Sequence, residues 1–162
     1  MPSKVRSGDV ILRREGGMTS QIFASIASEE KIFSHIGIIY IAHGDTTVLH
    51  CEAIETGESN SLRNESFCNF ISEADTFSIY KLNVSDCLSV KVAEQAHAMY
   101  LNGAKFDYSF DASTDSLLYC TEYVAKAVNR ATGDSTITPS LTIHGKKGFS
   151  IDDIAKVCKI HQ

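Results

Sequence analysis

The chain has 162 residues, of which 43% are hydrophobic and 22% are charged, and its formal net charge at pH 7 is −5. This length and composition are typical of a single domain (residues 1–162) that buries a sizeable core. The acidic balance and the absence of a basic run disfavour a nucleic-acid partner, and no stretch of about 18 apolar residues is present that would span a membrane.

The N-terminal segment "MPSKVRSGDVILRREGG" has neither a long apolar core nor a small-residue cleavage site, so we predict no secretion signal. Without export, the five cysteines indicate free thiols in a reducing cytoplasm. Their spacing does not resemble a pair of Cys-x-x-Cys zinc knuckles, and we predict no metal or organic cofactor.

The first half of the chain predicts strands around one helix. "GDVILRR" predicts a first strand, and apolar residues at helical spacing predict a helix within 18–33. The segment 35–41 is apolar on both faces, as in a buried strand, and a turn at "AHGDT" returns the chain as a strand over 47–54.

The second half predicts one strand and three helices. We expect a strand at 76–83, a helix over 89–103 capped by Ser89, and a second helix that begins near Cys120 and is capped by Asp115 or Ser116. A polar loop over 132–149 then leads to a terminal helix capped by Ser150. This order predicts an α+β fold with an antiparallel sheet.

Cys120 is the candidate nucleophile, because the start of a helix favours the thiolate form of a cysteine. A catalytic thiol also needs a base, and His35 stands apart among the six histidines at the head of a strongly apolar strand. A buried imidazole requires a polar partner. The alternative is that Cys120 is a buried, inert cysteine, as cysteines commonly are.

The predicted hairpin offers that partner. If His43 and Gly44 form a two-residue turn, position 35 lies opposite Glu52, at a Cβ separation of about 5 Å. Glu52 would then orient the ring of His35, as the third member of a catalytic triad does. A longer turn shifts the register, and His50 then competes for this role.

Several motifs, in this order, resemble the YiiX/YebB-like cysteine hydrolases of the circularly permuted, NlpC-type branch of the papain-like peptidases. They are "GDVILRR", "FSHIGIIY", "HCEA" and "GAKFDYSFD…YCTEYV". The resemblance implies a permuted papain-like fold in which a sheet packs against the nucleophile's helix. It also implies that His35, Glu52 and Cys120 are catalytic, in agreement with the hairpin count.

The resemblance further implies an acyl-thioester intermediate on Cys120 and an acyl substrate that is a small molecule, a peptide or a lipid. Relatives carry a Tyr-Asp pair where this chain has Phe106 before Asp107, so we expect Tyr108, together with Tyr119, to contact substrate. Two alternatives remain. One is an acyltransferase of the lecithin–retinol acyltransferase type, in which His50 would be the third residue, and the other is a retired, ligand-binding module.

Overall fold

The computed structural model describes residues 5–16, 28–29, 31–53, 60–133 and 135–160. The helix predicted within 18–33 lies mostly outside these residues, as does the end of the strand predicted over 47–54. In the described part of the chain, no helix has the length and apolar character needed to cross a membrane.

One six-stranded sheet organises the fold. Its strands, in chain order, are β1 (Val10–Arg14), β2 (His35–Ala42), β3 (Asp45–Cys51), β4 (Leu62–Ser66) and β5 (Thr76–Leu82), with Cys158–Ile160 as the last strand. That last strand pairs with β5, and the sheet order continues β5, β1, β2, β3, β4, with neighbouring strands antiparallel throughout. The α+β class with an antiparallel sheet is therefore confirmed.

Within the described ranges, four helices accompany the sheet: α1 (Phe67–Ser72), α2 (Asp86–Asn102), α3 (Cys120–Thr132) and α4 (Ile151–Ala155). Helix α2 ends at Gly103, whose φ of 71° explains the stop. Ser85 caps its start, and not Ser89, whose hydroxyl instead donates to the Ser7 carbonyl at 2.8 Å. The Ser150 cap of α4 is confirmed, with a reciprocal bond to Asp153.

The chain between α2 and α4 also forms short strands. β6 (Lys105–Phe106) pairs in parallel with β7 (Leu117–Leu118), and β8 (Leu141–Ile143) pairs with β9 (Lys146–Gly148). The latter pair is a hairpin inside the predicted 132–149 loop. The terminal helix is shorter than predicted, because its last residues form β10, the Cys158–Ile160 strand at the sheet edge.

The two faces of the sheet carry separate cores. The larger core lies between one face and helices α2 and α3, and it includes Ile36, Ile38 and Cys120. The smaller core lies on the opposite face around α1, and it includes Ile39 and Phe70. Side chains of β2 alternate between these two cores, as strand geometry requires.

Candidate active site

The hairpin of β2 and β3 has the predicted turn and register. His43 and Gly44 form a two-residue turn with φ of 53° and 85°, and Ala42 pairs with Asp45 across it. The pairing continues to Gly37 opposite His50. Two further residues at this register place His35 opposite Glu52.

The ring of His35 nevertheless contacts His50, and not Glu52. His35 Nε2 lies 2.8 Å from His50 Nδ1, and the two rings meet edge to face at 88°. The Glu52 carboxylate is 4.0 Å from Arg63 and 44% exposed. The orienting contact predicted for Glu52 is therefore made by His50, although the turn is short. Two residues on one face of a sheet can meet diagonally when their side chains are long.

A partly buried charge cluster adjoins the two histidines. His50 Nε2 is 2.9 Å from Glu65 Oε1, and Arg13 Nη1 is 3.6 Å from the same oxygen. Arg13 also donates to the Phe70 carbonyl at 2.8 Å, and its guanidinium lies 4.1 Å from the centre of the Phe70 ring. A second ion pair joins Arg13 to Glu15.

This environment shifts the pKa values of two site residues. The hydrogen bond from His50, aided by Arg13, lowers the pKa of Glu65, so that its carboxylate stays ionised. Burial, reinforced by the charges of His50 and Arg13, holds the pKa of His35 well below its usual range. His35 is therefore a neutral imidazole at neutral pH, the form that accepts a proton.

Cys120 is the first residue of α3 and is only 4% exposed. Tyr119 occupies the N-cap position and makes no side-chain capping bond, so the first N–H groups of the helix have no side-chain acceptor there. The N–H groups of Cys120, Thr121 and Ile36 instead favour negative charge on the sulfur. Burial outweighs them and raises the pKa of the Cys120 thiol to about 12. The lowered pKa expected at a helix start is therefore wrong for this resting structure.

The thiol of Cys120 and the imidazole of His35 are both located at the beginning of β2. The sulfur interacts with the backbone N–H of Ile36, the residue after His35. The His35 ring turns towards Phe70 in the smaller core, whereas Cys120 belongs to the larger one. Among the described residues, the ring nitrogen of His35 bonds to His50, and no hydrogen bond joins the ring to the thiol.

The two tyrosines predicted to contact substrate differ in exposure. Tyr119 is buried, and its hydroxyl accepts a hydrogen bond from the Phe149 N–H at 2.5 Å. That hydroxyl is thus engaged in the interior, where it fixes the segment before α4, so the predicted substrate contact does not fit its position. Tyr108 is exposed, with its ring 4.8 Å from that of Phe106, and its contact with substrate stays a prediction.

Glu122, two residues after Cys120, is a buried acid that the sequence analysis did not single out. Its Oε1 accepts from Lys126 Nζ at 2.6 Å, and its Oε2 is buried without a partner among the described residues. Burial raises the pKa of Glu122 to about 7. The spacing of four residues to Lys126 is the sequence signal that could have drawn attention to this pair.

This shift predicts a stability that depends on pH. Because folding raises the pKa of Glu122, the protonated carboxyl stabilises the folded state. This stabilisation is complete below the ordinary pKa of 4.5 and is lost as the pH rises through about 7. We expect Glu122→Gln to reduce the fall in unfolding free energy between pH 5 and pH 8 by about 3 kcal/mol. Denaturant titrations at both pH values measure it. Glu94→Gln, on the exposed face of α2, is the control, and equal slopes in both variants would refute the assignment.

In the described ranges, no three His, Cys, Asp or Glu side chains are grouped so that they could hold a metal ion. The histidine and carboxylate groups of the site form a chain of pairwise contacts, running from His35 to His50 to Glu65. Such a chain holds and orients protons.

Comparisons with known proteins agree on one fold. A family model described as permuted papain-like amidase enzyme, YaeF/YiiX, C92 family, matches residues 4–158. The crystal structure of the metalloprotein yiiX from Escherichia coli O157:H7 is similar, with a TM-score of 0.75 at 17% identity, and the match covers 97% of this chain and 96% of that chain. No curated protein matches significantly. The predicted permuted papain-like fold is confirmed.

Proposed function

Because this chain belongs to the permuted papain-like amidases of the YaeF/YiiX, C92 family, it is an enzyme of the cysteine hydrolase type, and we propose that Cys120 is its nucleophile and His35 its base. One observation carries this assignment. Cys120 stands at an uncapped helix start against the backbone of Ile36, next in the chain to an imidazole that His50 holds in place.

The resting pair is neutral, so the proton moves as the bond to substrate forms. Nδ1 of His35 takes the thiol proton while the sulfur attacks the acyl carbon of an amide, ester or thioester. The thiol–imidazole bond that this step needs forms when substrate binds, because catalytic hydrogen bonds often tighten only in the Michaelis complex. The backbone N–H of Cys120 stabilises the oxyanion.

The imidazolium then protonates the leaving amine, alcohol or thiol, and a thioester remains on Cys120. Water, deprotonated by His35, attacks this thioester, which releases the carboxylic acid and returns the proton to the sulfur. In this scheme His50 replaces Glu52 as the residue that orients the base. Its contact with Nε2 leaves Nδ1 of His35 as the ring nitrogen that accepts the thiol proton.

A second candidate is acyl transfer. The pair His35 and His50 agrees with the second histidine that relatives of lecithin–retinol acyltransferase favour as third residue. In that reaction an alcohol or amine, and not water, accepts the acyl group from the thioester. Product analysis with and without an acceptor lipid separates the two reactions, because only transfer yields an acylated lipid.

Trapping of the acyl-enzyme tests the proposal. We expect brief incubation with an activated acyl ester, followed by acid quench and peptide mapping, to find a hydroxylamine-sensitive adduct on Cys120. Cys68 and Cys87 are exposed and serve as internal controls for simple thiol reactivity. An adduct on these two cysteines alone, or on all three at equal rates, would contradict the proposal, since exposure would then explain the labelling.

A further inference from the structure

We propose that Glu65 is a positioning residue that sets the tautomers of both histidines and so leaves Nδ1 of His35 unprotonated. This inference rests on the proposed function for its kinetic consequence, and its structural part stands on geometry. Glu65 lies on β4, two strands from the His35 strand, and is linked to His35 through His50.

The positions of the ring protons follow from the ionised carboxylate of Glu65. An ionised carboxylate only accepts hydrogen bonds, and Glu65 Oε1 lies 2.9 Å from His50 Nε2. That ring nitrogen is buried and makes no hydrogen bond of good geometry among the described residues, although Glu65 Oε1 lies within ion-pair distance of it. Because buried polar atoms require partners, a His50 ring that carries one proton holds it on Nε2, facing Glu65.

A proton on His50 Nε2 determines where the proton of His35 lies. With Nε2 protonated, His50 Nδ1 carries a lone pair and accepts a hydrogen bond, which His35 Nε2 must donate across 2.8 Å. Neutral His35 has only one ring proton, so its Nδ1 keeps the lone pair that a general base needs. The charge of Glu65 is thus transmitted over two rings to the atom that takes the thiol proton.

Arg13 holds this carboxylate in place. Its guanidinium is buried, fixed by the Phe70 carbonyl and ring, and lies 3.6 Å from Glu65 Oε1. The rival explanation is that Glu65 merely neutralises Arg13. Glu15 is a matched control for that explanation, because it pairs with the same guanidinium and is 32% exposed against 29% for Glu65. Among the described residues, Glu15 makes no ion pair or hydrogen bond with His50.

Nitrogen-15 spectra of the histidine rings test the structural part without any substrate. In the parent at neutral pH, we expect both His35 and His50 as Nε2–H tautomers. In Glu65→Gln, whose amide can donate as well as accept, we expect His50 to lose this single tautomer, whereas Glu15→Gln keeps it. A parent with His35 protonated on Nδ1, or identical spectra in all three proteins, would overturn the inference.

Kinetics test the functional part. We expect Glu65→Gln to lower kcat about tenfold to a hundredfold with little change in KM, since the imidazolium formed during attack loses its supporting charge. Glu65→Asp, which keeps the carboxylate, should recover most of the activity. Glu15→Gln should not lower kcat, because it leaves the contact between Glu65 and His50 in place and removes a charge that opposes ionisation of Cys120.

The two kinds of failure are distinguishable. If the parent shows both expected tautomers but its turnover does not depend on Cys120, the proposed function is refuted and the placement of protons still stands. Equal loss of kcat in Glu65→Gln and Glu15→Gln would overturn the inference, because neutralising Arg13 would then account for both.

Discussion

Replacement of Cys120 by serine is expected to lower kcat/KM by about 10⁴-fold or more while the protein remains folded. Serine keeps the size of the side chain and its contacts with the N–H groups at the start of α3, so the packing of the larger core survives. Its hydroxyl is a much weaker nucleophile beside an imidazole placed for a thiol. Progress curves of acyl ester hydrolysis and thermal unfolding of the same samples measure both effects.

Cys51 is the matched control for that experiment. It is buried in the same core, and its thiol donates to the Leu118 carbonyl at 3.3 Å, a bond that a serine hydroxyl can also make. We expect Cys51→Ser to change turnover by no more than a few-fold. If both variants lost activity equally, disturbance of the core would explain the loss, and a fully active Cys120→Ser would exclude the sulfur as nucleophile.

Local signals in the sequence were sufficient to predict the secondary-structure elements nearest to the site. The glycine in "AHGDT" predicts a turn, and a two-residue turn at His43 and Gly44 sets the register of β2 against β3. The apolar stripe that follows Cys120 predicts a helix, and α3 does begin at that residue. Turn chemistry and helical periodicity act over a few residues, so they are readable without the rest of the fold.

Elements stabilised mainly by distant contacts were missed. Strand β4 is short and largely polar, and the six residues of α1 are too few to show a helical period. Cys158–Ile160 forms a strand only because β5 has an open edge there. The N-cap of α3 was also wrong, since Tyr119 stands where a capping side chain was expected, at Asp115 or Ser116.

The candidate site, too, could be predicted only where local sequence patterns determine it. Candidates for nucleophile and base came from one-dimensional patterns, but the ionisation of Cys120 depends on how deeply the folded chain buries it. Glu65 approaches His50 from β4, and Arg13 approaches Glu65 from β1, but the spacing of these residues in the chain does not indicate either contact. Burial and convergence are properties of tertiary packing, which no local pattern encodes.

The choice between His50 and Glu52 gives the second large prediction. We expect His50→Phe, which keeps a ring but removes both nitrogens, to lower kcat about a hundredfold, because His35 Nε2 loses its acceptor and the ring loses its orientation. His50→Asn, which offers an oxygen near the position of Nδ1, should recover part of this activity. Steady-state kinetics on folded variants, checked by their melting temperatures, provide the measurement.

Glu52→Gln is the comparison that decides between the two residues. Its carboxylate is exposed and 4.0 Å from Arg63, so removal of its charge should change kcat by less than about twofold. A larger loss in Glu52→Gln than in His50→Phe would restore the carboxylate as third residue and would mean that substrate binding draws it across the hairpin to His35. Equal activity of His50→Phe and the parent would show that the imidazole needs no partner on β3.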